Sequence, residues 1–226
     1  MSERELVVPG DLLGEDSKLA SHGTYAQDGK VYAANYGLVD RRNSIKVIPL
    51  SGRYIPVRGD LVIGMVTDVT FSNWIVDINS PYEGLLHASE YPERVDQNNM
   101  TKYLHDGELL IAKISDVDPS MKVELTLREE HLKILKDGRI IEISHVKIPR
   151  VIGRNGSMIK MLMKDLDCSI FVGQNGRVWL KGEEKNADLA IRTIFKIERE
   201  AHTSGLTDKI KDYLKNELEV MRNQNE

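Results

Sequence analysis

The hydrophobic pattern of this chain changes period near residue 129. Before that point apolar residues come in short alternating runs broken by turn signals, the pattern of strands. Beyond it they recur three and four apart, the pattern of amphipathic helices. Such a switch points to separate β and α/β units in one chain. A length of 226 residues leaves room for two or three of ordinary size.

Residues 1–55 read as short strands. "VVPGD" and "QDGK" are turn signals, and "KVYAANYGLV" runs as one strand from Lys30 to Val39 with tyrosines at 32 and 36. "DRRN" breaks it, "SIKVIPL" follows, and "SGR" breaks the pattern again before "YIPV". Strands at this spacing predict a small β-barrel-like domain or sandwich. No catalytic constellation occurs in it, so it reads as a docking or spacer domain.

Residues 56–130 predict five strands. "LVIGMVTDV" and "WIVDI" are joined through "TFSN", a loop "SPYEGLLHASEYPE" follows, and "DGELLIAKISDVD" pairs with "KVELTLR" across "DPSM". Five strands in this length suit an OB-fold barrel.

Residues 131–205 predict the order β-α-α-β-β-α. "RIIEISH" is a strand, and "IPRVIGRNGSMIKMLMKDL" is mostly helical, with Met158, Ile159, Leu162, Met163 and Leu166 on one face. "CSIFVG" and "RVWLKG" are strands around the turn "GQNG". "EEKNADLAIRTIFKIEREA" is a long helix with Leu189, Ile191, Ile194, Phe195 and Ile197 as its oily positions. Residues 206–226 read as a charged helix, an exposed tail or partner contact.

Composition narrows the function. The net charge is −4, so no global basic signature exists, yet from Lys133 to Lys164 eight Lys and Arg face two Asp and Glu, a local +6. A local patch of that kind steers a polyanion better than the total suggests. Cys168 is the only cysteine, which rules out a disulfide framework and a Cys-based zinc site and fits a reducing cytoplasm. "MSERELVVPG" lacks the apolar run of a signal peptide, and no stretch is long enough to span a membrane. The acids lie scattered as "REE", "GEEK" and "ERE", with "DVD" the one close pair on a strand end. Enzymes that cut RNA cluster carboxylates around metals, so a nuclease or phosphorylase is disfavoured, and no metal, cofactor or catalytic residue is expected.

The turn "GRNG", Gly153 to Gly156, lies between two apolar segments. Glycines without Cβ let a sugar-phosphate chain approach the main chain, and the helix that follows points free N–H groups at the loop. With the β-α-α-β-β-α order, the segment resembles the KH module, whose G-x-x-G loop clamps the backbone of about four nucleotides. The resemblance implies RNA binding by Gly153, Arg154, Asn155 and Gly156, with Arg150 and Lys160 beside them, and bases lying over an apolar groove between the second helix and the next strand. On this view both glycines could be replaced by Asp without unfolding the domain.

"GMVTDVTFSNWIVDI…EGLLHASE" resembles the RNA-binding OB-fold named after the largest small-subunit ribosomal protein, here called the S-one fold. Gly64, Phe71, Trp74, Ile75, Gly84, Leu85, His87 and Ser89 match its pattern, while Ser72 stands where the family has Gly. The resemblance implies that Phe71 and Trp74 stack on bases, with His87 alongside and Asp118 and Lys122 in contact with RNA. Read from the strands alone, the same two rings serve equally to close the barrel core.

The layout as a whole resembles the RNA-binding cap subunit of the archaeal exosome. That resemblance implies a non-catalytic protein, three copies per complex on a hexameric ring of phosphorolytic RNase subunits, and single-stranded RNA fed 3′ end first into the ring. A transcription elongation or translation factor is the other reading. Bacterial elongation factors of this kind carry a second KH, for which no room remains after residue 205.

Overall fold

The computed structural model describes residues 5–223, in two compact units divided between Arg53 and Tyr54. The first unit holds six short strands: β1 (Leu6–Val7), β2 (Leu12–Gly14), β3 (Thr24–Gln27), β4 (Lys30–Ala33), β5 (Gly37–Asp40) and β6 (Lys46–Pro49). They form two three-stranded sheets, ordered β1-β5-β6 and β2-β4-β3. Val7, Leu13, Val31, Val39, Ile45 and Val47 close the core. The single strand expected from Lys30 to Val39 is therefore two. The chain leaves one sheet at Ala33 and enters the other at Gly37, because β4 pairs with β2 and β3 while β5 pairs with β1 and β6.

The second unit opens with the barrel. Strands β7 (Leu61–Val69), β8 (Asn73–Asp77), β9 (Gly84–His87), β10 (Leu109–Val117) and β11 (Val123–Thr126) are ordered β11-β9-β8-β7-β10, and a β10–β11 pairing closes the circle. Strand β9 lies parallel to β11. A sixth strand, β12 (Lys133–Leu135), extends the sheet on β10. Inward residues of β8 alternate strictly with outward ones, as a one-sided strand requires.

A three-stranded sheet ordered β13-β15-β14 follows, from β13 (Arg139–Glu142), β14 (Ser169–Val172) and β15 (Arg177–Lys181). Helices α1 (Ile148–Ile152), α2 (Ser157–Asp165) and α3 (Glu184–Arg199) give the predicted order and share one core with it. Two expected core positions turn outward: Met163 and Phe195 sit at the far edges of their helical faces and are exposed. The final helix, α4 (Leu206–Asn223), is not an exposed tail. Leu206, Ile210 and Leu214, one turn apart, are buried in the same core, and the charges lie on its other faces.

The barrel and the α/β module are joined through the "GQNG" turn. Asn175 donates from Nδ2 to the Ile63 and Ile78 carbonyls at 2.8 and 2.9 Å, and the Gln174 amide donates to Leu61 O at 2.8 Å. Arg177, 7% exposed, donates to Asp77 O at 2.8 Å and to Glu142 Oε1 at 3.0 Å, and pairs with the Asp77 carboxylate. Trp179 of β15 packs into the barrel core. Arg177→Ala is expected to lower the stability of this unit by about 1.5–3 kcal/mol, because buried acceptors lose a charged donor. A urea titration reads this directly; an unmoved midpoint would mean that Asn175 and apolar packing hold the seam without Arg177.

Candidate nucleic-acid interface

The glycine turn between α1 and α2 is presented to solvent. Gly153, Asn155 and Gly156 have φ of +75°, +53° and +76°, the left-handed region that glycine enters freely. The amide of Gly153 donates to Pro149 O at 3.0 Å and that of Gly156 to Gly153 O at 3.2 Å, which closes the turn. Val151 and Met158 are buried on either side and hold it out.

The two glycines do different work. A Cβ on Gly153 would lie 2.7 Å from both N and Cβ of Met158, so this residue is glycine for the sake of helix α2. A Cβ on Gly156 would meet nothing closer than Lys160 Cε at 3.5 Å. A side chain at Gly156 would make only ordinary contacts, but at φ +76° its backbone is strained for any residue except glycine; the expectation that both accept Asp without damage to the fold is therefore corrected, by a clash at Gly153 and by backbone strain at Gly156.

Cations surround the turn. Arg150, Arg154 and Lys160 are exposed, and among the described residues none of them, nor Lys164, has an ion-pair partner. Lys160, Met163, Lys164, Ser169 and Lys181 line a shallow groove of about 430 Å³ between α2 and β14. The groove expected there to be apolar is thus mixed: three lysines rim it, one of them paired with Asp137, and Met163, Asp167 and Cys168 lie among them.

On the barrel the two aromatic candidates part company. Phe71 is 71% exposed at the tip of the β7–β8 turn. Thr70 and Asn73 close that turn, with Thr70 N donating to Asn73 O at 2.8 Å, and Ser72 O accepts from Ala88 N at 2.9 Å. Neither Ser72 nor Asn73 has a positive φ, so the turn keeps its shape without the family glycine. Trp74 is fully buried, its indole N–H donating to Leu104 O at 3.0 Å and its ring 5.6 Å from Tyr91. It cannot stack on a base; the strand's alternation turns it and Val76 inward.

His87 is exposed. Its Nδ1 accepts from Ser89 N at 3.1 Å and lies 2.7 Å from Ser89 Oγ, which leaves Nε2–H of the neutral ring to donate outward. Asp118 is engaged by its own turn: Oδ1 accepts from Ser120 Oγ, Ser120 N and Lys122 N at 2.7, 2.8 and 2.9 Å. Those bonds, the Ser120 hydroxyl foremost, hold its carboxyl below the usual range. Asp118 therefore shapes the β10–β11 hairpin through Oδ1. Lys122 pairs with Glu124 at 2.9 Å, and this contact raises its pKa.

His87 and Lys122 line one groove, of about 440 Å³, whose other walls include Glu90, Asp116 and Glu124. Phe71 lines a separate cleft with Arg94, Asn98 and Tyr103. The sequence reading passed over these three, because they fall in an aperiodic polar stretch. Among the described residues no group of His, Cys, Asp and Glu could hold a metal, and no helix is long and apolar enough to cross a membrane.

Comparison with known proteins places this geometry. Residues 4–51 match the family described as the exosome RNA binding protein RRP4 N-terminal domain, residues 53–116 the RRP4 S1 domain, and residues 138–186 a KH domain. The exosome complex component Rrp4 of Methanosarcina acetivorans is 51% identical over 216 residues, 95% of this chain and 83% of its own length. That of Methanothermus fervidus is 44% identical over 220 residues, covering 97% and 99%. A crystal structure described as an exosome complex RNA-binding protein is 38% identical with a TM-score of 0.69, over 75% of this chain and 99% of the other.

Proposed function

The chain belongs to the Rrp4 family of exosome components, a non-catalytic RNA-binding type of subunit, and on that premise we propose how it handles RNA. Single-stranded RNA lies along the glycine turn of residues 153–156, with Arg150, Arg154 and Lys160 on its phosphates. The unit guides the 3′ end into a hexameric ring of phosphorolytic RNase subunits, three copies of this chain standing on the ring. The observation that carries this reading is the set of cations left without partners around an exposed glycine turn. A helix N-terminus and uncommitted cations together favour phosphate at that point.

Docking on the ring falls to residues 1–55. Leu6, Val8 and Leu12 are each at least 50% exposed there, in a unit whose small core leaves them no partner. These exposed apolar side chains are the ones such a contact would cover.

The test is to mix the purified chain with phosphorolytic ring subunits and follow size-exclusion elution with and without an oligoribonucleotide. Co-elution, and faster phosphorolysis of the oligonucleotide than by the ring alone, is the expected result. Elution as separate species, or RNA breakdown by this chain alone with Mg²⁺ and phosphate, would overturn it. A chain that instead co-purified with a polymerase or ribosome would belong to the other reading.

A further inference from the structure

The chain holds two Asn-Gly pairs, Asn155–Gly156 and Asn175–Gly176, and the fold treats them oppositely. In such a pair the glycine amide nitrogen can attack the asparagine side chain, since no Cβ on the second residue stands in the way. Asn175 is closed to that reaction. It is 1% exposed, its Nδ2 donates to the Ile63 and Ile78 carbonyls, and its Oδ1 accepts from Ile63 N at 3.3 Å. Gly176 is hemmed in as well: a Cβ there would lie 2.4 Å from Ile143 O, so the backbone around it has no room to turn.

Asn155 is open to it. Its side chain is exposed and has no hydrogen bond among the described residues. Asn155 and Gly156, with φ/ψ of +53°/+29° and +76°/+15°, are the central pair of a type I′ turn, closed by Ser157 N donating to Arg154 O. As the turn stands, Gly156 N faces away from the Asn155 side chain. Turning over the peptide plane between them gives the type II′ form, which keeps the closing bond and asks of Gly156 only a negative φ. That swing sets Gly156 N beside Cβ of Asn155, with Cγ in reach. It breaks one hydrogen bond, from Gly156 N to Gly153 O at 3.2 Å. The surroundings favour the step too. Gly156 caps α2, and the positive helix end, with Arg154 and Lys160, stands where the amide nitrogen must lose its proton.

We propose that Asn155 is a self-modification site, deamidated through Gly156, and that its conversion changes the glycine turn from holding phosphate to repelling it. Gly156 N gives its proton to hydroxide and bonds to Asn155 Cγ. The Cγ–Nδ2 bond breaks, and Nδ2 leaves as ammonia with a proton taken from water. Water then opens the cyclic imide. Cleavage at Cγ leaves aspartate at position 155; cleavage at the main-chain carbonyl leaves isoaspartate, with the backbone rerouted through the side chain. In sum a water is consumed, an ammonia is released and nothing is oxidised. Either product sets a carboxylate among Arg150, Arg154 and Lys160 at the positive end of α2, where it takes up the charge that a phosphate would use. The loss of binding rests on the RNA-binding reading above; the deamidation does not.

The test ages the full chain for days in mildly alkaline buffer, digests it at acidic pH and maps it by mass spectrometry. The mass change of amide to acid should appear at Asn155, with isoaspartate confirmed by methyltransferase labelling, while Asn175 stays intact. In a urea-unfolded sample both should react. Fluorescence anisotropy with labelled oligoadenylate follows binding. Asn155→Asp is expected to bind roughly tenfold more weakly, the scale of one opposed charge-assisted contact. The aged chain should lose affinity in step with its modified fraction. Asn155→Gly, which suits the turn and has no side-chain amide, should hold its own starting affinity through the same ageing. A folded chain in which Asn155 reacts no faster than Asn175 would overturn the site. Full affinity in both Asn155→Asp and the modified chain would overturn the change in binding and leave the modification standing. Absence of RNA binding in the unaltered chain would overturn the RNA-binding reading and the change in binding with it, and the mass map alone would then decide the modification.

Discussion

Replacing Trp74 by Ala should lower the stability of the barrel unit by about 3–5 kcal/mol, the range for removing a large aromatic from a packed core. The ring is fully buried, and its indole N–H is the hydrogen-bond partner of Leu104 O. Truncation opens a cavity at the heart of the barrel and leaves that carbonyl without a donor. It also removes the base on which Tyr91, and through it Tyr103, rests. Trp74→Phe should recover most of the loss, because it restores the apolar volume and lacks only the N–H. Chemical denaturation of the two variants separates the terms. RNA affinity of the folded alanine variant should fall far less than stability does. The opposite outcome, an unchanged denaturation midpoint with lost RNA affinity, would put the ring on the surface and contradict the fold.

The contrast between Trp74 and Phe71 shows where sequence reading reached its limit. Both aromatics fit the S-one pattern, three residues apart. Alternation assigns faces within a strand, but Phe71 lies in the turn before β8, where parity is lost. Hydrophobic pattern alone therefore left both rings open to either role. The five barrel strands and the glycine turn were legible because each depends on local chemistry: alternation in the one, residues without Cβ in the other. The division of labour between Gly153 and Gly156 was not, since it depends on where the α2 backbone returns. Helix α4 was misread because only Leu206, Ile210 and Leu214 carry its buried stripe, among many charges.

The seam between barrel and α/β module was the least legible feature. "GQNG" signals a tight hairpin, and the turn is there. Nothing in four residues announces that Asn175 and Arg177 find their partners about a hundred positions earlier, at Ile63, Ile78 and Asp77. The consequence is physical. With buried hydrogen bonds and Trp179 shared across the seam, the glycine turn and the Phe71 cleft are carried by one unit. An RNA strand that meets both gains two contacts without the entropy of ordering a linker between them.

Charge reversal around the glycine turn should have the largest effect on binding. The triple variant Arg150→Glu, Arg154→Glu, Lys160→Glu is expected to lose roughly two orders of magnitude in RNA affinity, at about 1 kcal/mol or more per charged contact. The slope of log affinity against log salt should shrink by about 2, since three phosphate contacts are gone. All three side chains are exposed and without ion-pair partners among the described residues, so the melting temperature should barely move. This is a cleaner experiment than altering Gly153, where a side chain would collide with Met158 and confound loss of binding with loss of structure. A variant that keeps its salt slope would show that these cations never met phosphate. If the slope fell as expected while Phe71→Ala had no effect, RNA would be held by the α/β module alone, and the barrel's part would be to hold that module in place through Asn175 and Arg177.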